Sequence, residues 1–110
     1  MPTQSLNLEE MRSAAARASD LMKVLTNPDR LLILCQLSQQ EMSVSELEAK
    51  LGIVQPTLSQ QLTVLRHADL VTTRRDGKKI FYDLSSDTAL AVISTLYQEF
   101  CVARPARRKR

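Results

Sequence analysis

Glycine is scarce in this chain: two residues in 110, beside four prolines, exclude a loop-rich or low-complexity protein. Aromatics make up 4% against 44% apolar residues overall, so Leu, Val, Ile and Ala must supply the packing and large aromatic-lined pockets are not expected. No apolar run approaches the roughly eighteen residues that a membrane span needs. The opening stretch MPTQSLNLEEM has no basic segment followed by an apolar core, so no secretory signal is read there. Two cysteines, Cys35 and Cys101, are too few and too widely separated for a secreted disulfide framework. A cytoplasmic protein is expected, and there any bond between the two thiols would be conditional. The length suits one domain with a modest core.

What charge there is lies unevenly. The net +3 conceals a net −2 over residues 1–52 and a net +3 over residues 53–82. The last eight residues, ARPARRKR, hold five basic groups and no acid. The chain is therefore read as a folded domain over 1–102 and a basic, disordered tail over 103–110.

Capping signals divide the domain. Asn7-Leu-Glu-Glu10 opens a helix that runs to about Leu25, and Asn27-Pro28 opens a second that runs to about Gln39. The second contains LLILCQL, apolar almost all round and so central to the core. Ser43-Val-Ser-Glu46 is a capping box for a short helix through Leu51, which Gly52 ends. A further helix follows within a few residues, with Pro56 in its first turn. Two helices joined by so short a turn have helix-turn-helix proportions. LVTTRR at 70–75 and KIFYDL at 79–84 are strand-like, with Asp76-Gly77 between them as a hairpin signal. Ser85-Ser-Asp87 starts a last helix that carries Leu90, Ile93, Leu96, Tyr97 and Phe100. The expected fold is mainly α with a small β-hairpin: a winged helix-turn-helix of order ααααββα. The first and last helices retain apolar faces, and a homodimer through them would cover both.

The second helix of the pair, within IVQPTLSQQLTVLR, has a stripe of Leu58, Leu62 and Leu65. Its other face carries hydrogen-bonding side chains and no charge until Arg66, where an ordinary surface helix would carry Glu and Lys. Uncharged amides and hydroxyls match base edges in the major groove, and Gln suits adenine, which points to a double-stranded, A·T-rich operator. Gln55, Pro56, Thr57, Ser59, Gln60, Thr63 and Arg66 are the candidate contacts. Arg74, Arg75, Lys78 and Lys79 surround the hairpin tip and suit phosphates. A solvated polar helix and a solvated basic edge are the plain alternatives for either feature alone; their joint order favours DNA binding.

The run SVSELEAKLGIVQPTLSQQLTVLRHADLVTTRRDGKKIFYDL resembles the ArsR/SmtB family of small winged-helix repressors, whose pattern is E-L-x-x-x-L-G, then Q-P-T-x-S-x-x-L-x-x-L, then a strand and a basic wing. The likeness extends over roughly residues 21–101. Val54 departs from it, standing where the family commonly has a Ser cap, so Gln55 or the backbone must serve. The resemblance implies a homodimer on an inverted-repeat operator, released by an inducer.

The family's metal sites are not retained. A thiolate site would need E-L-C-V-C-D-L, whereas Glu41-Met-Ser-Val-Ser-Glu-Leu47 puts hydroxyls at Ser43 and Ser45. A last-helix site would need Asp-x-His with a further His and Glu, whereas Asp87-Thr-Ala89 keeps one carboxylate and Phe100 and Ala103 stand near the other positions. No metal and no cofactor are expected. RLLILCQL, QPTLSQQL and LYQEFC are similar to the BigR/SqrR/HlyU branch, which has one cysteine on each of the second and last helices. That resemblance implies that Cys35 and Cys101 react with persulfide or oxidant, form a disulfide or polysulfide bridge, and weaken DNA binding. A metal site of another arrangement, or two buried structural cysteines without a signal, are the alternatives. A thiol-redox enzyme is disfavoured, because neither a Cys-x-x-Cys nor a His partner is present. A winged helix that docks proteins would need no uncharged recognition face.

Overall fold

A computed structural model describes residues 7–102, so the readings of the first six residues and of the tail at 103–110 fall outside the described residues. Five helices and three short strands follow in the order α1 (Leu8–Leu25), α2 (Pro28–Leu37), β1 (Met42–Ser43), α3 (Val44–Leu51), α4 (Thr57–His67), β2 (Val71–Asp76), β3 (Lys79–Leu84) and α5 (Asp87–Phe100).

Local chemistry sets most of these boundaries. The Asn7 side chain accepts the Glu10 N–H at 2.7 Å while the Glu10 carboxylate accepts the Asn7 N–H at 3.1 Å. Ser43 and Glu46 repeat this reciprocal pair at the start of α3. Asn27 caps α2 ahead of Pro28 by accepting the Arg30 N–H, and Ser86 caps α5 by accepting the Ala89 N–H. Each such cap stabilises by about 1 kcal/mol. Gly52 ends α3 at φ 72°, in the left-handed region, with its N–H donating to the Glu48 carbonyl.

Ile33, Leu34 and Leu37 of α2 are fully buried, together with Leu47 of α3 and the α4 stripe Leu58, Leu62 and Leu65. Ala89 and Ile93 of α5 close the same core. Burying each Leu or Ile stabilises by about 1.5–3 kcal/mol, so this aliphatic cluster is the main force fixing α4 against α2. The helix read as central from its sequence is indeed central.

Two features differ from the sequence reading. The sheet has three strands, in order β1-β3-β2 and all antiparallel, because Met42 pairs with Tyr82 and Ser43 with Phe81. Two residues are too short to show alternation, and Ser43 was already accounted for as a cap. The hairpin also turns one residue later than expected. Asp76 pairs with Lys79 inside the ladder, and Gly77-Lys78 forms the two-residue turn, with Gly77 at φ 65°. A left-handed first central residue is where glycine is needed.

α1 buries only Leu25, leaving Leu8, Met11 and Met22 exposed. On α5, Leu90, Tyr97 and Phe100 are exposed, with Phe100 82% accessible. No helix among the described residues is long and apolar enough to cross a membrane.

Candidate nucleic-acid interface and thiol cleft

Burial of Leu58, Leu62 and Leu65 turns the opposite side of α4 outward. Gln55, Pro56, Ser59, Gln60, Thr63 and Arg66 are exposed and Thr57 is half-buried. The helix start lacks a capping Ser, and Gln55 takes that role: its Oε1 accepts the Ser59 N–H at 3.0 Å. The Val54 and Pro56 carbonyls accept the N–H groups of Leu58 and Gln60. Thr63 Oγ1 donates to the Ser59 carbonyl, so that hydroxyl is presented with a fixed orientation. Gln61 belongs to the same polar run but faces inward. Its Oε1 accepts from Arg30 Nη1 at 2.8 Å, and it is excluded from the outer face.

The wing separates its four basic residues into two kinds. Arg74 reaches across β3 to Glu41, donating through Nε and Nη2 to the two carboxylate oxygens at 2.8 Å each. Its guanidinium also lies 4.6 Å from the centre of the Phe81 ring, and Asp76 stands 3.8 Å away. The hydrogen bond from Arg74 holds the Glu41 carboxyl below the usual carboxylate range. Arg75, Lys78 and Lys79 are exposed around the tip, and among the described residues none of them has an acidic partner. Charge free to meet phosphate is therefore concentrated in those three.

The two cysteines meet the same space. Cys35 on α2 and Cys101, just past the end of α5, both line a cleft of about 350 Å³ whose other walls are Pro28, Leu31, Leu32, Ile93, Leu96, Tyr97 and Phe100. Both thiols are free, with Cys35 half-buried and Cys101 exposed. Burial pushes the Cys35 thiol up from its ordinary value, and the nearby Cys101 pushes in the same direction. Sequence reasoning found both thiols but not this cleft. It also missed Glu41, which lies 33 positions from Arg74 and has no local signal of its role. No cluster of three His, Cys, Asp or Glu suited to a metal ion occurs among the described residues.

An outward uncharged helix, a basic wing tip and the buried stripe joining them match a known pattern. The profile "Bacterial regulatory protein, arsR family" covers residues 27–73, and the chain is 53% identical, over 86% of its length and 80% of the other's, to the biofilm growth-associated repressor of Agrobacterium fabrum.

The chain belongs to the arsR family.

It superposes on the transcriptional repressor BigR from Xylella fastidiosa with a TM-score of 0.80 at 45% identity, covering 89% of this chain and all of that one. It superposes on reduced HlyU from Vibrio cholerae with a TM-score of 0.83 at 42% identity, covering 86% and 100% of the two chains. As a member of this arsR group it is a DNA-binding transcriptional regulator with a winged helix-turn-helix.

Proposed function

We propose that this arsR-family regulator is a cytoplasmic homodimeric repressor whose grip on an inverted-repeat operator is released when Cys35 and Cys101 are bridged. The observation that carries the reading is the cleft shared by the two thiols, set between the core helix α2 and the end of α5. In the dimer, the exposed apolar faces of α1 and α5 cover each other. The outward residues of α4 read base edges, while Arg75, Lys78 and Lys79 hold phosphates and Arg74 braces the wing.

The chemistry follows from exposure. Cys101, at the open end, is the thiol a persulfide or hydroperoxide reaches first, and Cys35, half-buried and pushed up by burial, is the slower thiol that resolves the product through its thiolate. With a hydroperoxide, Cys101 becomes a sulfenic acid, and attack by Cys35 gives the disulfide and water. The bridge ties α2 to the C-terminal end of α5. Because α5 belongs to the dimer interface and α2 packs on α4, tying them alters the spacing of the two recognition helices, which must match half-sites one DNA turn apart. A bridge that fits the unbound spacing better draws the equilibrium off DNA.

Fluorescence anisotropy with a palindromic A·T-rich duplex tests the reading. Reduced protein should bind, a persulfide donor or oxidant should release it, and dithiothreitol should restore binding. A mass spectrum of released protein should show a loss of two hydrogens or added sulfur between Cys35 and Cys101. Release without any change at either thiol would refute it.

A further inference from the structure

The turn between α3 and α4 holds an apolar side chain in water. Val54 is 63% exposed, whereas its neighbour Ile53 is 7% exposed and belongs to the core. Leu8, Met11, Met22 and Phe100 are also more than half exposed, but they lie on α1 and α5, the faces given to the dimer. Val54 lies elsewhere, directly ahead of Gln55 and Pro56 at the start of the recognition helix. A lone exposed valine is ordinary on a protein surface, and it is the position of this one that matters. Its backbone is fixed, because the Val54 carbonyl accepts the Leu58 N–H at 3.1 Å. Gln55 has taken over the cap by accepting the Ser59 N–H. The side chain at position 54 is thereby released from the capping role that a Ser there would serve.

We propose that Val54 reads thymine: its methyl groups pack against the C5-methyl of a thymine in the major groove and set a thymine preference at one position of each half-site. The proposal rests on the reading that the outward side of α4 meets base edges. Residues at the N-terminal end of a recognition helix are the ones that reach those edges. Thymine alone among the four bases presents a methyl group there, and apolar side chains recognise it by contact rather than by hydrogen bonding. Such contact removes two apolar surfaces from water at once. In the free protein most of Val54 faces water, so this gain arises only on the operator. A serine at the same position would offer a hydroxyl and no apolar surface to the methyl group. The departure at Val54 therefore exchanges a helix cap for a base contact.

The reduced full-length chain first selects its palindrome from a pool of randomised duplexes. Each thymine of that palindrome, together with its symmetry mate, is then replaced by uracil, which lacks the C5-methyl and keeps the same hydrogen-bonding edge. Losing one buried methyl contact should weaken binding about threefold per half-site, hence about tenfold with both mates replaced, as read by fluorescence anisotropy. One thymine pair should show this loss with the parent. The loss should vanish in Val54→Ser and shrink in Val54→Ala, and either variant serves if the other fails to melt cooperatively. A selected half-site without thymine, a parent indifferent to every uracil, or a loss undiminished in both variants would overturn the proposal. If the parent is indifferent to uracil yet keeps a sequence preference that Gln60→Ala abolishes, the reading of α4 survives and that of Val54 falls. If the pool yields no preferred sequence, both fall.

Discussion

Arg30 donates from Nη1 to the Oε1 of Gln61 at 2.8 Å and thereby joins the helix that carries Cys35 to the recognition helix. The same guanidinium closes the end of α1, with Nε on the Val24 carbonyl at 2.6 Å and Nη2 on the Lys23 carbonyl at 3.4 Å. One half-buried cation thus touches three helices. Arg30→Met should lower unfolding free energy by roughly 2 kcal/mol, since charged hydrogen bonds are lost and carbonyl groups are left short of a partner. Operator affinity should also drop severalfold although Arg30 does not face DNA. Urea unfolding and anisotropy check the two effects, and unchanged affinity would show that α4 is held by its leucines alone.

The wing should separate by salt dependence. Arg75→Ala, Lys78→Ala and Lys79→Ala should each weaken binding to all duplexes alike and reduce the salt slope of log affinity by about one. Arg74→Ala should leave the slope nearly unchanged, because its charge is already spoken for by Glu41. A slope reduced by one in Arg74→Ala would mean that phosphate displaces Glu41 in the complex.

The Arg74–Glu41 pair also sets a pH dependence. The folded Glu41 carboxyl is depressed relative to the unfolded chain, so its contribution is fully present above the unfolded value and lost as pH falls through the folded one. Glu41→Gln should therefore be less stable than the parent at neutral pH, with the difference vanishing in acid. Urea midpoints taken from neutral pH down into the acid range check the sign; a gap that widens in acid contradicts it. Both side chains face solvent, so the effect should be small.

Thiol reactivity should follow exposure. Iodoacetamide should label exposed Cys101 well before Cys35, whose thiol is kept protonated by burial and by its neighbour. Cys35→Ser should bind operator as tightly as the parent when reduced and should no longer be released by a persulfide donor. Peptide mass mapping and anisotropy provide the readouts.

Gly52 tests the turn ahead of α4. A side chain there meets open space, yet the backbone sits at φ 72°. Gly52→Ala should cost about 1 kcal/mol through strain alone, visible as a lower thermal midpoint.

Much of this molecule was legible along the chain because its information is local. Capping boxes at Asn7 and Ser43, proline at 28, glycine at 52 and the leucine stripe of α4 act within one or two helical turns, so the residues that determine each element stand next to one another. The outward uncharged face of α4 follows from the same stripe. The substitute cap at Gln55 was one of two options the sequence left open, and both the side chain and the neighbouring carbonyls are used.

What the sequence by itself determined was the set of helices, the hairpin, the side of α4 that faces out and the chemical kinds of residue available for DNA and for sulfur. Only the tertiary structure decided that Met42 and Ser43 join the sheet, that Gln61 is bound to Arg30 and Arg74 to Glu41 while among the described residues Arg75, Lys78 and Lys79 have no acidic partner, and that Cys35 and Cys101 share one cleft. Those outcomes depend on partners 31 to 40 positions apart, or 66 for the cysteines. Contacts at such separation are fixed by how helices and strands pack around a common core, and no local pattern encodes them.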